Sequence, residues 1–397
     1  MANSRDYKNV GVLAACQALI RTGMSIQIIL SGLVGAALAG DKALATVPVT
    51  AVIIASTLAA FPASMLMKRI GRRAGFLWGA LIGGVGGAVA CYALYISSFW
   101  LFCLGMAGFG VSGGFSMFYR FAAADVAEVH FKSRAISWVV AGGIIAALIG
   151  PEIAKRTHDL FTGTPFLGAF AAIVVLSVVV MVLLVFLDIP LPSEAERHEK
   201  GRPIRVIVRQ PALIVAVLVG MIGYGVMSLL MTATPLAMVD HGFIINDAAF
   251  VIQWHMVGMF GPAFFTGNLI NRFGVVRVML AGTILLTIAT ITALAGETIV
   301  HYWVSLFALG LGWNFTYVGA STLLTETYET SELNKVQALN DFMVFGTVAV
   351  ASFASGTILH YLDWQAVNIA AIGPIGVAVL AALWLRLKRR AEQAAGE

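Results

Sequence analysis

The sequence predicts an all-α membrane protein of twelve transmembrane helices, folded as two pseudo-symmetric six-helix halves. Three observations carry this expectation. The 397 residues are 59% hydrophobic and 11% charged, which leaves little material for a soluble surface. The apolar residues fall into successive runs of about 20, the length that crosses a bilayer as a helix. The chain also repeats itself at an offset of about 200 residues, as carriers built from two related halves do.

In chain order the apolar runs predict spans at 11–38, 44–66, 76–96, 99–124, 134–155 and 165–187, then at 209–239, 247–270, 277–296, 301–325, 336–360 and 366–386. The opening MANSRDYKN is polar and short, and no small-residue site closes a short apolar run. The first run is therefore expected to remain as a span. Lysine and arginine orient the set. With both termini in the cytoplasm, twenty of the 25 basic residues face inward and Lys42, Lys155 and Arg156 face outward, while Arg21 and Arg120 lie within spans. Cytoplasmic loops are enriched in this way. The net charge of +5 thus reports orientation in a lipid bilayer, and no nucleic-acid partner is expected.

The longest polar stretch, DIPLPSEAERHEKGRPIRVIVRQP, predicts a cytoplasmic linker over 188–208 between an N-terminal half at 1–187 and a C-terminal half at 209–397. Cys16, Cys91 and Cys103 lie in apolar runs without paired spacing, as small buried hydrophobes do, and give no disulfide framework or zinc site. GGVGGA at 83–88 and the small residues at 141–151 predict close helix approach. No Lys-Ser/Thr follows them, so they are not phosphate loops. Enzyme classes are excluded on composition, because no soluble domain is left to hold a catalytic site.

SMLMKRIGRR at 64–73 aligns with GNLINRFGVV at 267–276, which sets Arg69-Ile70-Gly71 on Arg272-Phe273-Gly274. Asp125 followed by Arg134 aligns with Glu326 followed by Lys335. On these residues the chain resembles the major facilitator superfamily over its whole length. The superfamily's loop motif, Gly-x-Leu-x-Asp-Arg-x-Gly-Arg-Arg, is matched at Leu66, Arg69, Gly71, Arg72 and Arg73, and again at Gly267, Leu269, Arg272 and Gly274. Ser64 replaces the first Gly, Lys68 and Asn271 replace the acid, and Met106 stands where many proton antiporters carry an arginine. The resemblance implies a secondary transporter working by alternating access. It gives Arg69, Gly71, Arg72, Arg73, Asp125, Arg134, Arg272, Glu326 and Lys335 a part in conformational gating.

The stretch MSLLMTATPLAMVDHGFIINDAAFVIQWHMVGM, residues 227 to 259, holds the chain's only Met-x-x-x-Met and its only His-x-x-x-Met. In a helix, i and i+4 share a face, so Met227 with Met231, and His255 with Met259, each present two ligands along one line. At 1.5 Å per residue, Met227 lies about 27 Å beyond Arg209 and His255 about 26 Å beyond Arg272. Thioether and imidazole are neutral ligands, and soft thioethers select Cu(I). Random placement gives roughly 0.6 and 0.3 such motifs, so neither is specific alone. Six of the fifteen methionines fall between 221 and 259, however, and an intramembrane His is a functional site by default.

The pair of motifs resembles that of the CcoA-type copper importers, which supply copper for cbb3-type cytochrome oxidase assembly in bacteria. Riboflavin transporters without the metal motifs are close relatives of that group. The resemblance implies import of copper, as Cu(I), bare or in a small-molecule complex, across a bacterial inner membrane by a monomer. Copper is then the substrate, and no cofactor is expected. Two alternatives stand beside it: a transporter of riboflavin or another small organic molecule, and a copper-binding membrane scaffold that transports nothing.

Other groups fit the copper reading less well. Gln17, Arg21 and Met24 share a face of the first span, and Met117 and Arg120 share one of the fourth. Two cations would repel bare Cu(I). Arg120 is expected to snorkel inward or pair with Asp125, whereas Arg21 points to an organic or anionic substrate. Tyr119, Trp254, Trp313, Asn314 and Tyr317 are candidates to line a cavity and stack on a planar ring, against the commoner role of membrane aromatics as packing or interface anchors. With no carboxylate apparent at mid-depth, His255 is the expected titrating group beside the metal.

Overall fold

The computed structural model describes residues 4–40, 44, 47–190 and 201–396. Lys42 and residues 191–200 of the expected linker lie outside them. Among the described residues the regular structure is helical: α1 (Ser4–Leu38), α2 (Val47–Ile70), α3 (Arg72–Tyr95), α4 (Phe99–Ser116), α5 (Tyr119–Val126), α6 (Lys132–Thr157), α7 (Leu167–Val185), α8 (Ile204–Ile207), α9 (Pro211–Asp240), α10 (Ile245–Phe260), α11 (Ala263–Phe273), α12 (Val275–Ala295), α13 (Ile299–Leu324), α14 (Leu333–Tyr361) and α15 (Trp364–Gly396).

Ten of the described spans are long and apolar enough to cross a membrane, α4 and α5 together counting as one. An eleventh forms if α10 and α11, bent by 41°, are taken as a single span. The bend falls at Gly261-Pro262, where proline removes a helix donor and its ring pushes against the preceding turn. The expected twelfth, α13, has the length but not the apolarity. It carries Ser305, Asn314, Thr316, Ser321 and Thr322, all buried, and so meets protein where a lipid-facing helix would present alkyl groups.

The described residues gather into two compact units. One is Met1–Glu128, Trp138–Glu199 and Leu333–Phe342; the other is Val129–Ser137, Lys200–Glu332 and Met343–Glu397. In the first, α3 and α4 pack backbone to backbone. A Cβ on Gly86 would lie 2.6 Å from the Gly105 carbonyl oxygen and 2.7 Å from the Phe109 nitrogen, so GGVGGA does bring helices into close approach. Phe102 meets Phe170 edge to face at 5.0 Å, among buried Ile26, Met106 and Ile173. Gly110-Val111-Ser112-Gly113-Gly114 spells Gly-x-Ser-x-Gly, but inside the continuous helix α4, without the strand-to-helix turn a nucleophile elbow requires. Cys16, Cys91 and Cys103 are all free.

The two matched loops turn alike. Gly71 and Gly274 begin α3 and α12 with φ of 86° and 88°, a region that residues with a Cβ rarely enter. The repeat read from the sequence is thus also a repeat of backbone conformation.

Candidate functional site

In the second unit, α9 and α10 both pack chiefly on α13. Gly220 faces Ala320, and Gly223 lies directly against Thr316, so α9 runs antiparallel to α13. Continuing that register sets Met227 and Met231 near residues 308–312 of α13, about one and two turns on. His255 sits at the same level: its Nδ1 lies 2.7 Å from the Leu306 carbonyl oxygen. Met259 is held one turn further, its carbonyl accepting from Asn314 Nδ2 at 2.6 Å. The four predicted ligands therefore share a depth. His255 is turned into the α10–α13 seam, fully buried, with Nε2 lacking a hydrogen-bond partner. Among the described residues no polar contact joins the two motifs, and no group of three His, Cys, Asp or Glu side chains is placed to hold a metal.

Asn314 is not the open cavity group the sequence suggested. Its Oδ1 accepts from Thr266 Oγ1 at 2.6 Å while its Nδ2 holds Met259, so one amide clamps both sides of the α10–α11 bend. Trp254 is likewise elsewhere. It is 38% exposed and packs edge-on against Trp303 and Phe307.

Trp313 and Tyr317 do come together, stacked at 4.9 Å with 16° between their planes. Tyr224 completes the group, at 5.3 Å from Trp313, 5.2 Å from Tyr317 and 5.3 Å from Phe345. Trp313 and Tyr317 are buried, whereas Tyr224 is half-buried. The indole Nε1 of Trp313 is buried without a hydrogen-bond partner, an uncommon state for a group that usually finds one. Sequence reasoning missed Tyr224. Its signal was present, because 224, 227 and 231 recur at i, i+3 and i+7, one helix face. Met227 and Met231 thus continue the stripe that Tyr224 begins.

In the first unit, Gln17, Arg21 and Met24 do form one face of α1, turned toward the end of α4. The Gln17 amide, oriented by its surroundings, donates to the Ser116 carbonyl at 3.3 Å and accepts from Arg21 Nε at 3.1 Å. Arg21 also reaches Met24 Sδ at 3.9 Å, and the Met24 methyl lies against Gly113. Tyr119 is buried edge-on against Phe76 at 4.7 Å, a packing position.

Arg120 has a carboxylate partner that the sequence reading did not name. It forms a buried ion pair with Asp341, with side chains 4% and 0% exposed. It also donates to the Met117 carbonyl at 2.6 Å and lies 4.2 Å from the Phe121 ring centre. Asp341, eight residues or about 12 Å into α14, is an intramembrane carboxylate that the sequence reading passed over. Its neighbours in the sequence, Asn340 and Phe342, gave no local sign of an Arg partner 221 positions away.

Asp125 is held by Arg72 at 2.8 Å, and Gln337 bridges the two, accepting from Arg72 at 2.5 Å and donating to Asp125 at 3.2 Å. Arg69, Arg73 and Arg272 are exposed, and Lys335 is half-buried. Glu326 pairs with Arg389 at 2.7 Å. Arg134 is half-buried, with Nε lacking a partner. Ser64 donates to the Asn334 carbonyl at 2.6 Å. In the other unit the corresponding Gly267 carbonyl accepts from Ser133 at 3.2 Å.

Paired helical repeats, matched glycine loops and buried charges inside apolar helices define a multi-span membrane transporter. The chain belongs to the Major Facilitator Superfamily, whose sequence profile matches residues 13–261 and 218–397. It is 40% identical over 383 residues, 96% of both chains, to the riboflavin transporter RfnT of Brucella anthropi. Its fold is similar to the fucose transporter FucP in the outward conformation (TM-score 0.75, 16% identity, 94% of this chain and 98% of that one). The human organic anion transporter MFSD10 is also similar in fold (TM-score 0.78, 12% identity, 96% and 100%). The protein is thus a secondary transporter of this superfamily and not an enzyme.

Proposed function

We propose that the protein imports riboflavin, or a closely similar planar heteroaromatic molecule, across a bacterial inner membrane by alternating access, with both termini in the cytoplasm. The observation that carries this reading is the aromatic group of Tyr224, Trp313 and Tyr317, in which Tyr224 is only half-buried and one buried indole N–H is left unpaired. Stacked aromatic pairs contribute about 0.5–1.5 kcal/mol beyond their buried area, and Met227 and Met231 extend the platform with thioethers, which pack well on aromatic rings. The 40% identity to a riboflavin transporter across nearly the whole chain supports the same substrate. The methionine stripe that suggested copper from the sequence has a place in this reading as a wall for a flat ring.

The test is uptake of radiolabelled riboflavin by cells lacking their own riboflavin uptake, with copper as competitor. Uptake above the empty vector, unaffected by copper, is expected. A chain that is expressed in the membrane yet takes up no riboflavin refutes the proposal. A tag at residue 198 should report the cytoplasm.

Copper stays as a second reading because of one observation: His255 Nε2 is buried and unpartnered at the depth of Met227 and Met231. A Cu(I) cargo carries charge, and 100 mV, inside negative, is worth about 2.3 kcal/mol, roughly fifty-fold in accumulation. Riboflavin is neutral and gains nothing from it. Copper uptake in vesicles that rises with the potential would support this reading. Copper binding without uptake would leave a scaffold.

A further inference from the structure

Arg21 is the central residue of α1, with 17 residues of helix on either side, about 26 Å from each end. A guanidinium at that depth is costly unless it is paired or serves a site. Arg21 has no carboxylate partner among the described residues. The only acid in its own helix, Asp6, lies fifteen residues away, about 22 Å. Its recorded contacts are a neutral amide oxygen and a thioether. Of the five N–H donors of an arginine, both on Nη2 and one on Nη1 have no acceptor among the described residues.

Nor is the side chain loose or turned to lipid. Gln17 fixes Nε and is itself fixed by the Ser116 carbonyl at the end of α4. Met24 lies on Gly113 of the same helix. The residue is half-buried. A cation oriented on its inner side by neutral groups, with its outer donors unspent, is what a ligand's acceptors would complete.

We infer that Arg21 is the substrate-recognition cation of the N-terminal unit, donating through its free N–H groups to an edge of the substrate that carries two adjacent acceptors. This rests on the proposed function. Each long edge of the flavin dione ring offers such a pair, a carbonyl oxygen beside a ring nitrogen. An anionic carboxylate or phosphate would present the same chemistry as two oxygens.

The test uses the full-length carrier and the variants Arg21→Met and Arg21→Lys. Losing charge-assisted hydrogen bonds should raise the riboflavin KM of Arg21→Met about ten- to a hundredfold, with the amount of folded protein in detergent unchanged or higher, because an unpaired cation has been removed. Arg21→Lys should recover only part of the affinity, lacking the planar fork. Replacing ring nitrogen 5 or 1 of riboflavin by carbon should weaken transport by the natural chain more than by Arg21→Met. Unchanged KM in Arg21→Met, or equal discrimination by both, overturns the inference.

If the natural chain takes up no riboflavin, the functional reading falls by itself. Thermal stabilisation of the purified protein by riboflavin, riboflavin 5′-phosphate and benzoate then decides Arg21. Stabilisation of the natural chain but not of Arg21→Met upholds it, with the phosphate or benzoate arm identifying an anionic ligand. Equal response of the two proteins, or none, overturns it.

Discussion

Asp341→Asn separates a structural ion pair from an ornamental one. The carboxylate and its partner Arg120 are 0% and 4% exposed, so solvent cannot replace the lost charge. The variant leaves a buried guanidinium without its carboxylate, facing the Met117 carbonyl and the Phe121 ring. Removing one partner of such a pair costs about 3–5 kcal/mol, whereas replacing both by apolar residues of similar volume is often neutral or stabilising by about 1–4 kcal/mol. Against a typical stability of about 5–15 kcal/mol, Asp341→Asn should remove about a fifth or more. Arg120→Leu should do the same, and Arg120→Leu/Asp341→Leu should recover most of the loss. Detergent-induced unfolding of the purified proteins gives the four corners of the cycle. The reasoning is refuted if Asp341→Asn lies within about 1 kcal/mol of the natural chain, or if the double variant is no better than the worse single one.

Three further outcomes are expected. Glu332, just before α14, is held by Arg202 at 2.6–2.8 Å, and these bonds, followed by backbone N–H donors, hold its carboxyl down at about 2 against an ordinary 4.5. A lowered folded value means stability present above about 4.5 and lost as pH falls through about 2. Arg202→Ala should therefore flatten the acid limb of a stability-versus-pH profile, and profiles that differ only by a constant offset would contradict this. Gly86→Val drives a side chain into the Gly105 carbonyl and should abolish monodisperse protein in size-exclusion chromatography, whereas Gly32→Ala, with nothing within 4 Å, should elute normally. Tyr224→Leu should raise the riboflavin KM several-fold with expression preserved; transport unchanged by that substitution would remove the aromatic platform from the proposed site.

The fold was legible because its determinants are local. Run length gave the spans, basic residues gave an expected orientation, and the loop glycines marked turns that the structure repeats at 71 and 274. The two exceptions have separate causes. Span-like length without span-like apolarity in α13 follows from a helix that faces protein, where hydropathy reads it as if it faced lipid, and the bend at Gly261-Pro262 follows from a proline that an apolar run does not reveal. Arg21, Gln17 and Met24 were grouped correctly because i, i+3 and i+4 spacing is written in one helix. Arg120–Asp341 and Tyr224–Trp313 join different helices, and no spacing rule reaches across a fold. Periodicity says that Asn314 lies in a span; only the structure shows its amide already committed to Thr266 and Met259.

Internal repetition explains why alignment of the two halves found the loops and not the ligand groups. Each unit reuses the same backbone devices: a glycine of positive φ opens the third helix of each repeat, and the second-helix position 64 or 267 is hydrogen-bonded to the first turn of a helix from the other half of the sequence, at Asn334 or Ser133. Those contacts are backbone or near-backbone, so they survive when side chains diverge. The buried side chains did diverge. The first unit holds Arg21 without a carboxylate partner among the described residues and the two ion pairs of Arg72 with Asp125 and Arg120 with Asp341, while the second groups Tyr224, Trp313 and Tyr317 on the stripe that leads to Met227 and Met231. An alignment of the halves therefore finds what the two backbones share and passes over what the side chains of each unit do alone.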